Sequence, residues 1–194
     1  IPTTSSPAVT NASAVAHGAN MATTVGDTIV VGTGKAVFYI KKAAFNMLNR
    51  VTTAQGDIVK RHAWGGLVVK SSVDSVYAMG YSDSAVTSIE ENGPVMVTVL
   101  STGKLKTKAG TDSKMDYTCR MHFFKNQSWV RSEVTLRNAR KYRGHNSKTL
   151  KYVSVEIPVT VANTSRTFSM PTVDQVLCDT LSVNGYAHIY QAKN

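Results

Sequence analysis

The sequence predicts an all-β fold, either a sandwich or a barrel of antiparallel strands. Roughly ten to twelve short segments have the alternating or β-branched patterns of strands, and turn signals separate them about every ten residues. No stretch keeps the apolar period of a convincing helix. Regularly spaced short strands without helices are typical of sandwiches and barrels.

Residues 1–27 are predicted to form an extended arm or linker. They are poor in charge and rich in serine, threonine, alanine and asparagine, and Pro2 and Pro7 stiffen them. Residues 28–194 are predicted to form a single domain, because a chain of 194 residues buries enough surface to need neither a disulfide nor a metal. Since the chain begins with Ile1 and not with methionine, we expect a processed product or a fragment of a longer protein.

The domain begins with two predicted strands, Thr28–Val31 and Lys35–Ile40. The turn between them, Gly32-Thr33-Gly34, matches neither common phosphate-binding glycine motif. We therefore interpret its glycines as a turn that uses their conformational freedom. Lys42–Val51 is compatible with one or two helical turns or with an irregular strand, and the spacing of its apolar residues favours the strand.

The middle of the chain continues the strand pattern. Trp64-Gly65-Gly66 predicts a bulge or bend where backbones approach closely. Val73–Tyr81 and Val86–Glu91 are predicted strands. Val95–Leu100 is apolar on both faces, which predicts a central strand. Lys104–Lys114 is rich in lysine, glycine and threonine and is predicted to be a loop.

Asp116–Asn138 is the clearest signal in the chain, a hairpin with its turn at Lys125–Ser128. This turn places Phe124 opposite Trp129 and Arg120 opposite Glu133, where the latter two are expected to form an ion pair. Because side chains alternate along a strand, one face collects the apolar residues. They are Tyr117, Cys119, Met121, Phe123, Val130, Val134 and Leu136.

The densest positive charge lies directly after this hairpin. The chain has a net charge of +10, and such a surplus predicts attraction to anionic partners. Aromatic side chains among cations can stack on sugar rings or bases, although a solvated loop is the alternative. The predicted glycan- or partner-binding residues are Arg137, Arg140, Lys141, Tyr142, Arg143, His145, Lys148 and Lys151.

Three further strands are predicted after the basic segment. Leu150–Val161 alternates cleanly, and Pro158 places its end at a sheet edge or a bulge. Ser165–Met170 and Val173–Leu181 are shorter candidates, and Tyr186–Gln191 closes the chain.

No motif in the sequence predicts an enzyme, a cofactor or a metal site. The five histidines lack metal-ligand spacing with one another or with cysteine, no serine lies in a nucleophile elbow, and most acids fall near turns. Cys119 is expected to be a buried free thiol, and its pairing with Cys178 stays open. No apolar run reaches the length of a membrane helix.

Several segments together resemble one family. They are GTGKAVFYIKKAAFNMLNRV (Gly32–Val51), Ala63-Trp64-Gly65, MHFFKNQSWVRSEVTLRN (Met121–Asn138) and IYQ (Ile189–Gln191). They are similar to the N-terminal β domain of exo-rhamnogalacturonan-lyase-like (YetA-like) proteins, and the resemblance covers roughly residues 28–191. It implies a RIFT-type barrel in an extracellular, glycan-associated setting, and no catalytic residue of the family maps onto this chain. Similar barrels are building blocks of tailed-phage virions.

Three functions are compatible with these observations. The first is a non-enzymatic structural or binding domain of an extracellular or virion-surface assembly such as a phage tail, which contacts neighbouring chains of its own or another kind, or anionic glycans. The second is an accessory domain of a polysaccharide lyase. The third, nucleic-acid binding through the basic segment, is disfavoured because the chain has no RNP-type motif and no basic helix.

Overall fold

The computed structural model describes residues 19–139, 149–160, 167–171 and 176–180. The fold is all-β, as the sequence predicts: a strongly curled antiparallel sheet forms a half-barrel and a second sheet accompanies it. The described residues contain no α-helix, and a single 3-10 turn occupies Met79–Tyr81.

The first sheet is a five-stranded antiparallel meander in chain order. Three of its connections are turns of two or three residues, which are enough to join antiparallel neighbours, whereas residues 42–49 form a longer loop between the third and fourth strands. The strands are β1 (Ala22–Val25), β2 (Thr28–Gly32), β3 (Ala36–Lys41), β4 (Arg50–Thr53) and β5 (Gly56–Val59).

The second sheet has seven strands in the order β11-β10-β9-β7-β6-β12, and β8 pairs with β9 beside this path. Its strands are β6 (Gly66–Ser71), β7 (Val76–Ala78), β8 (Val86–Asn92), β9 (Met96–Lys106), β10 (Asp112–Phe124), β11 (Val130–Asn138) and β12 (Leu150–Glu156). A separate hairpin joins β13 (Thr167–Pro171) to β14 (Val176–Thr180). The prediction of a central strand is confirmed, because β9 pairs with β7, β8 and β10.

One apolar core joins the two large sheets. Phe38 of β3 meets Phe123 of β10 with ring centroids 5.0 Å apart, and Phe45 stacks on Tyr117 at 6.2 Å. Both pairs unite residues distant in sequence, so the core depends on the two sheets packing together. Burial of such aromatic rings contributes strongly to stability.

The register predicted for the β10–β11 hairpin is confirmed from Phe123–Val130 to Tyr117–Leu136. The inward side chains of β10 are buried, and the apolar residues of β11 are partly buried against the same core. The prediction of an ion pair between Arg120 and Glu133 is wrong, although the two residues lie opposite each other on adjacent strands. Arg120 Nε instead donates to Glu90 Oε2 of β8 at 2.8 Å, and Glu133 pairs with Arg131 at 2.7 Å.

The strand expected over Lys42–Val51 is wrong for most of its length. Residues 42–49 are irregular, and Ala44 and Met47 have positive φ angles of 49° and 65°, which an extended strand does not allow. The apolar residues at Phe45 and Leu48 are nevertheless buried. They enter the core from a folded-back loop, and the strand begins only at Arg50.

Three other segments differ from the expectation. Ala22–Val25, inside the predicted arm, is strand β1, and residues 1–18 of that arm lie outside the described residues. The predicted loop Lys104–Lys114 is mostly strand, because β9 and β10 extend into it and leave a tight turn at residues 107–111. Val73–Tyr81 is a strand only over Val76–Ala78.

The later predictions agree in part. Leu150–Val161 is a strand only as far as Glu156. The two short candidates that follow it are confirmed as β13 and β14. Tyr186–Gln191 lies outside the described residues.

The bend predicted at the paired glycines is confirmed. Gly65 has φ +103°, and a Cβ there would lie 2.6 Å from the carbonyl oxygen of Glu156. Gly66 has φ +74° and packs against Met79. The backbone of β12 therefore approaches this corner more closely than any side chain would permit.

The β2–β3 turn and the β10–β11 turn are joined by hydrogen bonds, and we call this contact the tip latch. Asn126 N donates to Thr33 O at 2.7 Å, and the Thr33 hydroxyl donates to Gln127 O at 2.5 Å. Thr33 is buried although it lies in a turn. The latch ties the two large sheets together at one end.

β1 is also joined to the second sheet, by the side chain of Asn92. Its Oδ1 accepts from Ala22 N at 3.0 Å and its Nδ2 donates to Ala22 O at 2.9 Å. A side-chain amide thus makes the two hydrogen bonds that a neighbouring strand would make.

Candidate functional site

The basic segment predicted from the sequence is only partly visible. Arg140, Lys141, Tyr142, Arg143, His145 and Lys148 lie outside the described residues. Arg137 and Lys151 are described, and each is held by a carboxylate: Arg137 Nη2 lies 2.7 Å from Asp116 Oδ2, and Lys151 Nζ lies 2.8 Å from Asp74 Oδ1. The structure therefore places the two ends of the segment on opposite edge strands of the second sheet, β11 and β12.

The outer face of β9, β10 and β11 presents polar and aromatic side chains in regular rows. Here "outer face" means the outward side chains of these three strands, which the register aligns in rows across the sheet. From the hairpin turn, the first four rows are Met96–Phe124–Trp129, Thr98–His122–Arg131, Leu100–Arg120–Glu133 and Thr102–Thr118–Thr135, and the last is Lys104–Asp116–Arg137.

A cleft of about 420 Å³ opens at the far end of this face, and we call it the threonine cleft. Its lining residues are Ser84, Thr102, Gly103, Lys104, Asp116, Tyr117, Thr118, Thr135 and Arg137. Threonine is favoured on strands because its branched side chain packs well on a pleated surface. Three threonines in one row hold three hydroxyl groups side by side on adjacent strands.

Both cations of the cleft's charged row lie near a carboxylate. The guanidinium of Arg137 donates to Asp116 Oδ2 at 2.7 Å, and Lys104 lies 3.7 Å from Asp112. The other oxygen of Asp116, Oδ1, is buried and has no hydrogen-bond partner among the described residues. A buried carboxylate oxygen without a donor is costly, so it marks a position where a donor is missing.

An aromatic pair occupies the opposite end of the outer face. The rings of Phe124 and Trp129 lie 4.9 Å apart, which confirms the pairing expected from the sequence. Trp129 Nε1 donates to Gln127 Oε1 at 3.0 Å, which fixes the indole although the residue is 52% exposed. A half-exposed, oriented indole is a stacking surface for a sugar ring.

The buried side of the site is inert. Burial raises the pKa of Tyr117 to about 12, against the opposing effect of the Ser101 and Ser82 hydroxyls. Burial also raises the pKa of Cys119 to about 12, and Cys119 is a buried free thiol as expected. A thiol with so high a pKa is protonated at neutral pH and is a poor nucleophile.

The described part of the chain has neither a metal-binding cluster nor a membrane-spanning helix. No group of three or more histidine, cysteine, aspartate or glutamate residues there could hold a metal ion. None of the helices in that part is long and apolar enough to cross a membrane. No family model matches the chain, and no curated protein gives a significant match.

The threonine cleft could not be predicted from the sequence alone. One signal was present, because the predicted hairpin register already places Thr118 opposite Thr135. The third threonine and Lys104 come from β9, and Lys104 lies in a segment that was interpreted as a loop. The row across three strands can be recognised only once the pairing of β9 with β10 is known.

Proposed function

We propose that this chain is a non-enzymatic binding domain of a larger extracellular or virion-surface assembly, and that it contacts glycans. The outer face is the observation that carries this proposal. It combines an oriented, half-exposed indole at one end with a polar cleft at the other. Stacking surfaces beside hydroxyl and charged groups suit sugars, which have both apolar ring faces and polar edges.

The resemblance to the β domain of exo-rhamnogalacturonan-lyase-like proteins supports the same setting. The basic segment adds an electrostatic contribution, because it follows Arg137 of the cleft directly in the chain. On this proposal acidic polysaccharides bind through that segment and the outer face together.

Retention of the protein on immobilised polysaccharides tests the proposal. We expect retention on an acidic polysaccharide that weakens between low and high salt, because exposed charges are screened. Trp129→Ala is expected to weaken retention. Trp64→Ala is the matched control, since Trp64 is 43% exposed but lies outside the outer face. Failure of both acidic and neutral polysaccharides to retain the protein would refute the proposal.

A second candidate function is contact with a neighbouring copy of the chain through β12. This strand ends the second sheet, and none of the described strands pairs with its outer edge. Val153 and Val155 are 49% and 51% exposed, although their partners Val69 and Leu67 on β6 belong to the core. An edge strand with exposed valines is a template for strand addition.

Light scattering at increasing protein concentration tests this candidate. We expect a dimer, and Val155→Lys is expected to abolish it because a charge on an edge strand opposes pairing. Val73→Lys, at a residue that is 78% exposed in a turn, is the control. A monomer at all concentrations would eliminate the candidate.

A further inference from the structure

We infer that the threonine cleft binds the carboxylate of an acidic sugar. This inference rests on the proposed glycan-binding function and deepens it, because it names the chemical class of the sugar and assigns its charged group to one end of the outer face. The anionic ligand expected from the sequence depends instead on the basic segment, most of which lies outside the described residues.

The cations of the cleft outnumber its carboxylate. Lys104 and Arg137 line the cleft, and Asp116 is the one acidic residue of the lining. Asp116 Oδ1 is buried, and Asp116 Oδ2 accepts from Arg137 at 2.7 Å. A ligand therefore meets a largely covered carboxylate between two cations whose side chains are 51% and 74% exposed. The surplus positive charge favours a ligand with one negative charge.

Both cations have N–H donors left for a ligand. Within the described chain, Arg137 donates only through Nη2, and a guanidinium has several further N–H groups. Lys104 Nζ lies 3.7 Å from Asp112 Oδ2, which is beyond hydrogen-bond distance. Asp112 is already satisfied by Lys114, which donates to it through its backbone N at 2.6 Å and through Nζ at 3.4 Å. The Lys104 ammonium is therefore available to an acceptor in the cleft.

The threonine row suits the ring that carries the carboxylate. Successive rows on one face of a sheet lie about 7 Å apart, so a carboxylate held by the charged row places its sugar ring over Thr102, Thr118 and Thr135. Their hydroxyl groups donate and accept, as the ring hydroxyls do. The volume of about 420 Å³ falls in the lower part of the usual range of roughly 300–1,000 Å³ for ligand pockets, which matches one ring.

The charges match a carboxylate better than a phosphate. A planar carboxylate can accept two parallel N–H bonds from a guanidinium, and its single charge balances the single surplus charge of the cleft. A phosphate monoester carries about −1.5 to −2 at neutral pH, so it would leave uncompensated negative charge beside Asp116. An acidic sugar of the uronate kind is therefore the ligand class that the lining favours.

A titration followed by protein NMR tests the inference with sugars that share one ring. Galacturonate is compared with galactose, with its own uncharged methyl ester and with galactose 6-phosphate. Each sugar is added to about 100 mM, so that dissociation constants in the millimolar range are measurable, and sodium chloride equalises the ionic strength. We expect galacturonate to shift the amide signals of the three threonines and to bind about tenfold more tightly than the two neutral sugars. It should also bind more tightly than the phosphate, and added salt should weaken its binding.

Three charge variants are expected to act in opposite directions. Arg137→Gln and Lys104→Gln each remove a cation of the cleft and should weaken galacturonate binding about two- to fivefold. Asp116→Asn removes the carboxylate of the lining and should tighten binding about twofold, which damage to the fold would not do. Arg131→Gln is the matched control and should bind as the parent does. Arg131 is 67% exposed on the same face but lies outside the lining of the cleft.

The inference is overturned by any of four results. They are cleft signals that galacturonate leaves unmoved, a neutral sugar or the phosphate that binds at least as tightly as galacturonate, folded Arg137→Gln and Lys104→Gln that bind as the parent does, and weaker binding by Asp116→Asn.

The outcomes also separate this inference from the proposed function. A monosaccharide in the cleft does not reach Trp129, because eight residues of extended chain separate Arg137 from it by roughly 25 Å. Where the subsite fails but polysaccharide still retains the protein through Trp129, the proposed function stands. Where the cleft binds galacturonate but no polysaccharide retains the protein, the proposed function fails. Where neither is observed, both fail.

Discussion

The β10–β11 hairpin and the loop corner beside it are stabilised in different ways. In the hairpin, regular alternation places many similar side chains in the core, and each contributes part of the free energy that stabilises the fold. In the corner, which comprises residues 42–49, residues 62–66 and Gly80, a few residues each perform a task that no other residue type can perform. Substitutions in the hairpin should therefore lower the stability of the fold in proportion to the side-chain volume they remove. In the corner, the gain or loss of a single group should be enough to destabilise the fold.

The details of the corner show why. Asn46 and Asn49 both donate through Nδ2 to the carbonyl oxygen of His62, at 2.9 and 2.8 Å. Both asparagines are buried, so these hydrogen bonds replace water that is excluded. Gly65 allows a backbone contact that any Cβ would block, and a Cβ at Gly80 would lie 3.0 Å from Trp64 Cα. Hydrogen bonds from buried amides and close backbone approach therefore hold this region together with the burial of Phe45 and Leu48.

The largest expected effect is in the hairpin. Phe123→Ala should lower the free energy of unfolding by about 3–5 kcal/mol, because it leaves a cavity beneath Phe38 in the core. Phe124→Ala, the next residue on the outer face, should cost far less, about 0.5–1.5 kcal/mol for the ring contact with Trp129. Urea unfolding measures both. Equal costs would contradict the division between the two faces.

Gly65→Ala probes the corner with one methyl group. The added Cβ would lie 2.6 Å from Glu156 O at a φ of +103°, so we expect a loss of more than about 2 kcal/mol. Gly56→Ala is the matched control, because its φ is +107° with nothing within 4 Å. It should cost only the backbone strain, about 1–2 kcal/mol. Thermal melts compare the two, and a smaller loss at Gly65 would argue against close approach.

The two corner asparagines should behave non-additively. Asn46→Ala or Asn49→Ala alone should cost about 1–2 kcal/mol, since the other amide still donates to His62 O. The double variant leaves that carbonyl without either donor, so its cost should exceed the sum of the singles by at least about 0.5 kcal/mol. A double-mutant cycle in urea gives the coupling. Strict additivity would mean that the two amides act independently.

The smallest expected effect is electrostatic and joins β12 to the β6–β7 turn. Hydrogen bonds from Lys151 and then from Lys70 lower the pKa of Asp74 to about 2. A carboxyl whose folded pKa lies below its unfolded value of about 3.9 stabilises the fold fully above that value. This stabilisation is lost as the pH falls from about 4 through 2.

Melting temperatures of the parent and of Asp74→Asn between pH 5 and 2 measure this contribution. Asparagine tolerates the positive φ of 61° at this position, so the variant isolates the charge. We expect the parent to be slightly more stable at pH 5 and the difference to shrink steadily as the pH falls to 2. The effect should also shrink in high salt, because these groups are exposed. A difference that grows on acidification would contradict the assigned sign.

The hairpin could be predicted from the sequence residue by residue because alternation fixes register. A slip of one residue would expose Tyr117, Met121 and Phe123 together. The ion pair of Arg120 could not be predicted, since its partner Glu90 lies on β8, whose position beside β9 is set by the tertiary fold. The ion-pair partner of a long side chain therefore depends on which strands the tertiary fold places beside it, and not only on the hairpin to which it belongs.

The loop at residues 42–49 of the corner could not be predicted, for a related reason. Phe45 and Leu48 are spaced as in an irregular strand, and only the positive φ angles at Ala44 and Met47 reveal a loop. The buried asparagines of this loop donate to the His62 carbonyl group, which lies 16 and 13 residues further along the chain. The threonine cleft was hidden in the same way, because its rows exist only once three strands are paired.

The tip latch has a consequence for how the domain opens. The amide hydrogen of Asn126 is held by Thr33 O, and the hydroxyl hydrogen of Thr33 is held by Gln127 O, so the two sheets cannot separate at that end without breaking both hydrogen bonds. Regions linked in this way exchange their amide protons with solvent as one cooperative unit. The indole of Trp129, three residues beyond Asn126, would then report the separation of the sheets through its fluorescence.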